Sequence, residues 1–394
     1  MAQRQAMAEL VPSTPDRRAK RDARELKTGP VRNVRVVGAG LSGLACALAA
    51  ARAGARVEIW EAHPGAPVMP MHVNVVPGML RGLAVLGVAD AVVRRGFPYR
   101  CTQVVGADGR VSFELVGSKL AGKRLPAMLG IGYDQLMAVL LDAARDAGVA
   151  LHLDRPWDGT AGVGVHVDDG ADMIVLATGA GQAMTRRLFP HAPERAGITQ
   201  RWWRAVVPRP AGLLDGLLAL GHDGDKAGAI PMNMTRAGVF LLQRDDGSAL
   251  PPPGERASCL RAALSRCRGL LREMAGLLDD ACPVVVEPVR HACMDSPWHN
   301  GRLVAVGDAA HLLTPQFGQN GTQAIEDAVV LKDLLEQGLT RDELPAAFTR
   351  RRADRVREAH DICLQAARWD LQPSAATDLQ ALWMRLGQLS ACEP

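Results

Sequence analysis

Aromatic side chains are scarce: Phe, Trp and Tyr make up 4% of the 394 residues, so the core has to be filled largely by aliphatic side chains and alanine. A dominant charge is also lacking. With 46 basic and 42 acidic side chains the net charge is +4, too small for a polycation that holds nucleic acid through its phosphates. No apolar stretch reaches the ~20 uncharged residues that span a bilayer, and no apolar segment of the secretory type follows the N-terminus. The eight cysteines form no C-x-x-C pair and no Cys/His cluster with zinc spacing, which predicts reduced thiols in a cytoplasmic protein and no metal site. At about 150 residues per domain the length implies two or three folding units. Fractions of 48% hydrophobic and 22% charged residues exclude global disorder.

Glycine, by contrast, is abundant, with 40 residues. Residues 1–30 read as a loose basic arm, through Arg17-Arg18-Ala19-Lys20-Arg21. The character then changes. Val34-Arg35-Val36-Val37 is a β-branched run, Gly38-Ala39-Gly40-Leu41-Ser42-Gly43 a tight turn, and Leu44 to Ala53 an Ala-rich helix. Gly54 ends that helix, and Arg56 to Glu61 resumes as a strand that closes on an acid, with Ala62 beside it. Gly38 permits the turn, Gly40 lets the backbone approach a pyrophosphate, and Gly43 lets helix and strand pack closely. The helix start adds free N–H groups and the positive end of a dipole. Glu61 suits a ribose diol and would repel a 2′-phosphate, so FAD or NAD is favoured over NADP. A lone G-x-G-x-x-G is weak, but here strand, helix and terminal acid are in register.

Further along, helices are expected over Pro77 to Leu86, Ala89 to Arg95 and Tyr133 to Ala147, and a hairpin from Cys101–Val105 to Arg110–Leu115 around Ala107-Asp108-Gly109. Met173 to Ala177 is a continuous apolar run, the pattern of a strand covered on both faces, and it ends at Thr178-Gly179. Between about Arg201 and Val289 the pattern becomes antiparallel, with strands at Trp203–Pro208 and Gly238–Gln243 and one helix from Glu255 to Leu278. A last buried strand, Arg302 to Val306, runs into Gly307-Asp308-Ala309-Ala310-His311. Pro315-Gln316-Phe317-Gly318-Gln319-Asn320-Gly321 and a helix from Thr322 to Leu335 follow. A carboxylate on a Gly turn at a strand end suits a polyol, and a Gly-rich loop feeding a helix aims N–H groups at an anion such as the pyrimidine edge of reduced flavin.

These strings resemble the class A flavoprotein monooxygenases of the para-hydroxybenzoate hydroxylase fold. Gly318-Gln319-Asn320-Gly321-Thr322-Gln323-Ala324-Ile325-Glu326-Asp327-Ala328 is most similar to the salicylate, urate and hydroxynicotinate hydroxylase branch. The resemblance implies an α/β fold in which a Rossmann-like FAD-binding domain carries an inserted, mostly antiparallel substrate domain and a C-terminal helical region. The boundaries expected are a basic arm at 1–30, a discontinuous FAD-binding domain at 31–180 and 295–340 with a hairpin insert at 100–130, a substrate domain at 181–294, and C-terminal helices at 341–394. It also implies tightly bound, non-covalent FAD, NADH or NADPH as transient reductant, and hydroxylation of a small aromatic or heteroaromatic ring by dioxygen through a flavin hydroperoxide. Cofactor contacts are expected from Gly38, Ala39, Gly40, Leu41, Ser42, Gly43, Glu61, Ala62, Tyr133, Thr178, Gly179, Asp308, Gly318, Gln319, Asn320, Gly321 and Thr322. Three of these depart from the family pattern: Thr178 stands where an Asp is usual, Tyr133 where an Arg is common, and Asn320 where a Gly is usual.

For the chemistry itself the resemblance points to Pro315 beside the isoalloxazine, Arg204 to orient an anionic substrate or a phenolate, and His72 near the flavin as a proton relay. Met69, Met71, Met79, Met232 and Met234 suggest an adaptable apolar lining, and the shortage of Phe and Tyr argues against an aromatic cage. Two further readings use the same residues: an FAD-dependent dehydrogenase or reductase of the same fold, and a non-catalytic FAD-binding protein that sequesters a reactive intermediate, for which Thr178 and Asn320 are the motive.

Overall fold

The computed structural model describes residues 29–65, 71–106, 109–159, 170–179, 181–221 and 225–394. Most of the basic arm, Met69 and the tip of the expected hairpin turn at 107–108 lie outside the described residues. A six-stranded sheet runs in the order β15 (His299–Asn300), β16 (Leu303–Ala305), β9 (Met173–Leu176), β1 (Asn33–Val37), β2 (Arg56–Trp60), β8 (Ala150–His152). All neighbours pair in parallel except β15 with β16. β9 is buried at all four positions and β16 at all three, as a sheet covered on both faces requires.

Helix α1 (Leu41–Arg52) is buried from Gly43 to Ala50 and packs against α8 (Gln319–Glu336) and α4 (Tyr133–Asp146). Its small residues make that approach possible. A Cβ on Gly43 would lie 1.9 Å from the Gly38 carbonyl oxygen, and one on Gly38 would lie 2.4 Å from that of Ala177, so neither position tolerates a side chain. A Cβ on Gly40 would meet no protein atom within 4 Å.

The second sheet has eight strands in the order β17 (His311–Leu312), β14 (Val284–Cys293), β10 (Ala196–Pro208), β13 (Arg236–Arg244), β12 (Lys226–Pro231), β11 (Gly216–Leu220), β5 (Cys101–Val105), β6 (Val111–Val116). Apart from the parallel pair β11 and β5 it is antiparallel. The hairpin β5–β6 forms as expected and serves as the edge of this sheet. Strand alternation divides its residues between two environments. Trp203, Ala205, Val239, Leu241, Ala227 and Ala229 face a separate core with α6 (Arg256–Leu264) and α7 (Leu270–Gly276), while Trp202, Arg204, Phe240, Leu242 and Lys226 face a large cavity. The single helix expected from Glu255 to Leu278 is in fact these two, interrupted where Gly269 takes φ +59°, a left-handed conformation incompatible with a continuing helix. A small sheet, β3 (His72–Val75), β7 (Met128–Gly132) and β4 (Phe97–Tyr99), joins the two halves near α2 (Pro77–Val85) and α3 (Ala89–Arg95). Helix α5 (Gln182–Leu188) follows β9, and α9 (Leu344–Leu371) and α10 (Leu379–Ala391) close the chain. No described helix is long and apolar enough to cross a membrane.

Candidate active site

A cavity of about 610 Å³ is lined at one end by Gly40, Leu41 and Ser42, then by Tyr133, Gly179, Asp308 and the start of α8, and at the other by the second sheet. The turn at β1 and the turn after β16, some 270 residues apart in the sequence, therefore open into the same space. This is the C-terminal edge of the parallel strands, where open α/β sheets take their ligands.

The Gly307–Ala309 turn is held from behind. Asp327, fully buried, accepts hydrogen bonds from Gly307 N at 2.9 Å, His311 Nε2 at 2.8 Å and Arg352 Nε at 2.8 Å. Burial alone would raise the Asp327 carboxyl, but His311, Arg352 and the Gly307 N–H outweigh it and hold it below the usual range. His311 is thus structural. Asp308 lies on the cavity side of the same turn, and burial pushes its carboxyl above the usual range, against the pull of His311 and Arg195. Arg195 donates to the carbonyls of both Gly179 and Asp308 at 3.1 Å and so ties the β9 and β16 turns together. Sequence reasoning passed over Arg195, which lies in no motif.

Glu61 accepts hydrogen bonds from Ala39 N at 2.7 Å and His63 N at 2.9 Å, so it fastens the Gly-rich turn to the end of β2. Ala62 is exposed beside it. Burial raises the Tyr133 hydroxyl pKa, as does Asp308, while a hydrogen bond with the Leu41 backbone lowers it. Tyr133 lines the cavity together with Leu41 and Asp308. The Thr178 hydroxyl is buried with no partner. Helix α8 starts at Gln319, three residues before the expected Thr322, after Phe317 at φ +62° and Gly318 at φ +65°. A positive φ at a bulky residue is a strained conformation of the kind that collects at ligand sites. Asn320, in the first turn, donates to Leu313 O and accepts from Leu313 N, both at 2.8 Å, which clamps the Pro315 loop onto the helix. Gly318, Asn320 and Gly321 line the cavity, whereas Gln319 and Thr322 are buried in the helix packing.

At the far end Arg204 is 2% exposed, pairs with Glu287 Oε1 at 2.5 Å and lies 3.9 Å from the Trp202 ring centre. Burial lowers its pKa and Glu287 opposes the shift. Its Nε has no partner. His72, from β3, stacks obliquely on Phe240 with ring centres 5.7 Å apart, and its Nδ1 is unpartnered. Burial, with Arg204 nearby, lowers its pKa to about 4. Pro315 also lines the cavity. Of the methionines, Met71 lines it, Met79 and Met232 are buried in the core, and Met234 is exposed. Leu41, Val73, Leu115, Leu217, Leu218, Ile230 and Leu242 supply much of the lining, and the aromatic Tyr133, Trp202, Phe240, Phe317 and Trp383 join them, Phe317 and Trp383 packing with centres 5.9 Å apart. Trp383 comes from α10, which carried no motif, and its Nε1 donates to Val116 O of β6 at 3.1 Å.

The residues present fit FAD: an open approach at Gly40, unpartnered Thr178, cavity-facing Asp308 and the α8 N-terminus are suited to its phosphate, hydroxyl and anionic groups. Comparison with known proteins agrees. A family described as NAD(P)-binding Rossmann-like domain matches residues 36–68, and one described as FAD binding domain matches residues 287–362. The chain is 28% identical to an aurachin C monooxygenase/isomerase of Stigmatella aurantiaca over 86% of its own length and 88% of that protein's. It is 27% identical to an FAD-dependent urate hydroxylase of Klebsiella pneumoniae, over 88% and 92%. Among solved structures, Klebsiella pneumoniae HpxO complexed with FAD and uric acid shares the fold with a TM-score of 0.72 at 22% identity, over 91% of this chain and 92% of that one. Together these matches indicate a class A FAD-dependent aromatic hydroxylase, a class that uses FAD as cofactor and NAD(P)H as reductant.

Proposed function

We propose that this chain hydroxylates a small, electron-rich heteroaromatic ring that carries an anionic group, and that the residues around the 610 Å³ cavity divide the work as follows. The turn from Gly38 through Ala39, Gly40, Leu41 and Ser42 to Gly43 and the α1 N-terminus hold the FAD pyrophosphate, Glu61 with Ala62 the ribose end, and Asp308 the ribityl hydroxyls. Tyr133, Thr178 and Gly179 line the path between them. The α8 start at Gly318, Gln319, Asn320 and Gly321 directs backbone N–H groups toward the pyrimidine edge, and Thr322 packs behind it. Pro315 shapes the wall, held by the Asn320 clamp.

When bound, FAD supplies the redox chemistry: acceptance of a hydride from NAD(P)H and delivery of one atom of dioxygen to the ring. Arg204 binds the anionic group of the substrate, its guanidinium fixed by Glu287 and Trp202 so that the unpartnered Nε completes a charge-assisted hydrogen bond. With a pKa near 4, His72 is neutral at physiological pH but too weak a base to hold a proton there, so it acts as a hydrogen-bonding partner of the substrate. Trp202, Phe240, Phe317 and Trp383 exclude water around the ring. We assign residues 31–180 and 295–340 to the FAD-binding domain, 181–294 to the substrate domain and 341–394 to the helical cover, and place the protein in the cytoplasm on its free thiols.

The observation that carries this reading is the continuity of one cavity from the Gly-rich turn to Arg204. The rate of flavin bleaching by NADPH and NADH, followed anaerobically across anionic hydroxypyridines, hydroxyquinolines and benzoates, tests it. Acceleration by one anionic ring class, lost in Arg204→Ala, is the expected result. Failure of either nucleotide to bleach the flavin with any ring present favours the sequestering protein instead.

A further inference from the structure

The cavity-facing side of the second sheet ends in a polar group that the proposed chemistry does not use. Across neighbouring strands the register sets Trp202 beside Leu242 and Leu242 beside Lys226, one row away from Arg204 and Phe240. Lys226 is 6% exposed and pairs with Asp370 Oδ1 of α9 at 2.5 Å. Asp370 Oδ2 accepts from Gln316 Nε2 at 3.1 Å, and the same nitrogen donates to Gln200 Oε1 at 3.2 Å. Lys226 and Gln316 both line the cavity.

This chain of contacts fixes the orientation of both amides. A carboxylate only accepts, so Gln316 has to turn its NH₂ toward Asp370, and Gln200 then has to turn its oxygen toward that NH₂. The carbonyl oxygen of Gln316, a side chain only 4% exposed, and Nε2 of Gln200 are left buried without partners. A buried ion pair repays its desolvation only when the surrounding donors and acceptors are satisfied, and each one that is not is costly. Two residues of the cavity lining, one with an unmatched acceptor and one with an ammonium donor, are thus held by the same carboxylate.

We infer that Gln316 and Lys226, set by Asp370, are specificity-determining residues that read a ring lactam: Gln316 Oε1 accepts from the ring N–H while Lys226 Nζ donates to the adjacent carbonyl oxygen. Within the heteroaromatic class proposed above, the substrate narrows to a heterocycle with an N–H next to a C=O. This rests on the hydroxylase reading for the location of the substrate.

The test compares 2-quinolone with N-methyl-2-quinolone, which lacks the N–H. Each is titrated into the FAD-loaded protein without NAD(P)H, with the flavin absorbance change giving Kd. The unmodified protein is expected to bind 2-quinolone at least about tenfold more tightly, the effect of one buried hydrogen bond. In Gln316→Leu the ratio should fall to about one with FAD content retained. Equal binding of the two ligands by the unmodified protein, or a ratio that persists in Gln316→Leu, overturns the inference. If that variant does not fold, Gln316→Met and the ligand pair on the unmodified protein still decide it. Because binding is read without turnover, a chain that hydroxylates benzoates yet ignores the N–H would sink this inference and leave the hydroxylase reading standing.

Discussion

Replacing Asp308 by Asn should move stability and cofactor affinity in opposite directions. The carboxyl is buried on the cavity wall and its pKa is raised, chiefly by loss of hydration. An acid of this kind binds more protons folded than unfolded between its two pKa values, so it costs stability progressively as pH rises above the unfolded value near 3.9. Asp308→Asn removes that cost, and the Tm of the apoprotein should rise at pH 7 and be unchanged near pH 3. The same substitution weakens the proposed bonds to cofactor hydroxyls. Hydrogen bonds to a charged group contribute about 1.5–3 kcal/mol against about 1 for a neutral one. The loss is then about 0.5–2 kcal/mol per bond, or roughly two- to thirtyfold in Kd. Thermal unfolding of the apoprotein and fluorescence titration with FAD measure the two effects. A lower apoprotein Tm together with an unchanged Kd would refute both the burial argument and the assigned role.

Arg204→Ala should leave FAD content as it is and raise KM for an anionic ring, whereas Asp308→Ala should purify with much less FAD; equal FAD content in the two variants would contradict the division of the cavity. In Gly43→Ala the new Cβ would fall 1.9 Å from the Gly38 carbonyl oxygen, so the turn has to shift. That variant should lose FAD on gel filtration, and normal retention would show that the turn is not the phosphate site. His72 has a folded pKa near 4 against about 6.5 unfolded, so it contributes stability that is complete above pH 6.5 and lost as pH falls toward 4. The contribution is about 3 kcal/mol at most, and acid unfolding of His72→Gln should show a correspondingly shallower slope between pH 6.5 and 4.

Local sequence was enough to find the Gly-rich turns of the proposed cofactor site. The β1 turn, Glu61 and the Gly307–Ala309 turn carry their signal in consecutive residues, because a glycine is needed wherever main chain meets main chain or ligand. The pocket wall was not legible in the same way. Trp202, Phe240 and Lys226 come together only through strand register, and alternation alone does not say which face of β10 or β13 looks into a cavity. Trp383 and Asp370 come from C-terminal helices whose apolar pattern reads as ordinary packing. Composition counts side chains without placing them, and five of the few aromatic ones, Tyr133, Trp202, Phe240, Phe317 and Trp383, line one cavity. Tyr133 and Asn320, departures from the family pattern, are each bonded into the site, Tyr133 to the Leu41 backbone and Asn320 to Leu313.

The central claim is that this chain transfers oxygen from dioxygen to a ring, and product analysis under ¹⁸O₂ tests it most directly. With NAD(P)H and the ring compound that most accelerates flavin reduction, mass spectrometry should find one ¹⁸O atom in each hydroxylated product. Turnover of that ring without incorporated label would contradict the account and leave a flavin dehydrogenase or reductase in its place.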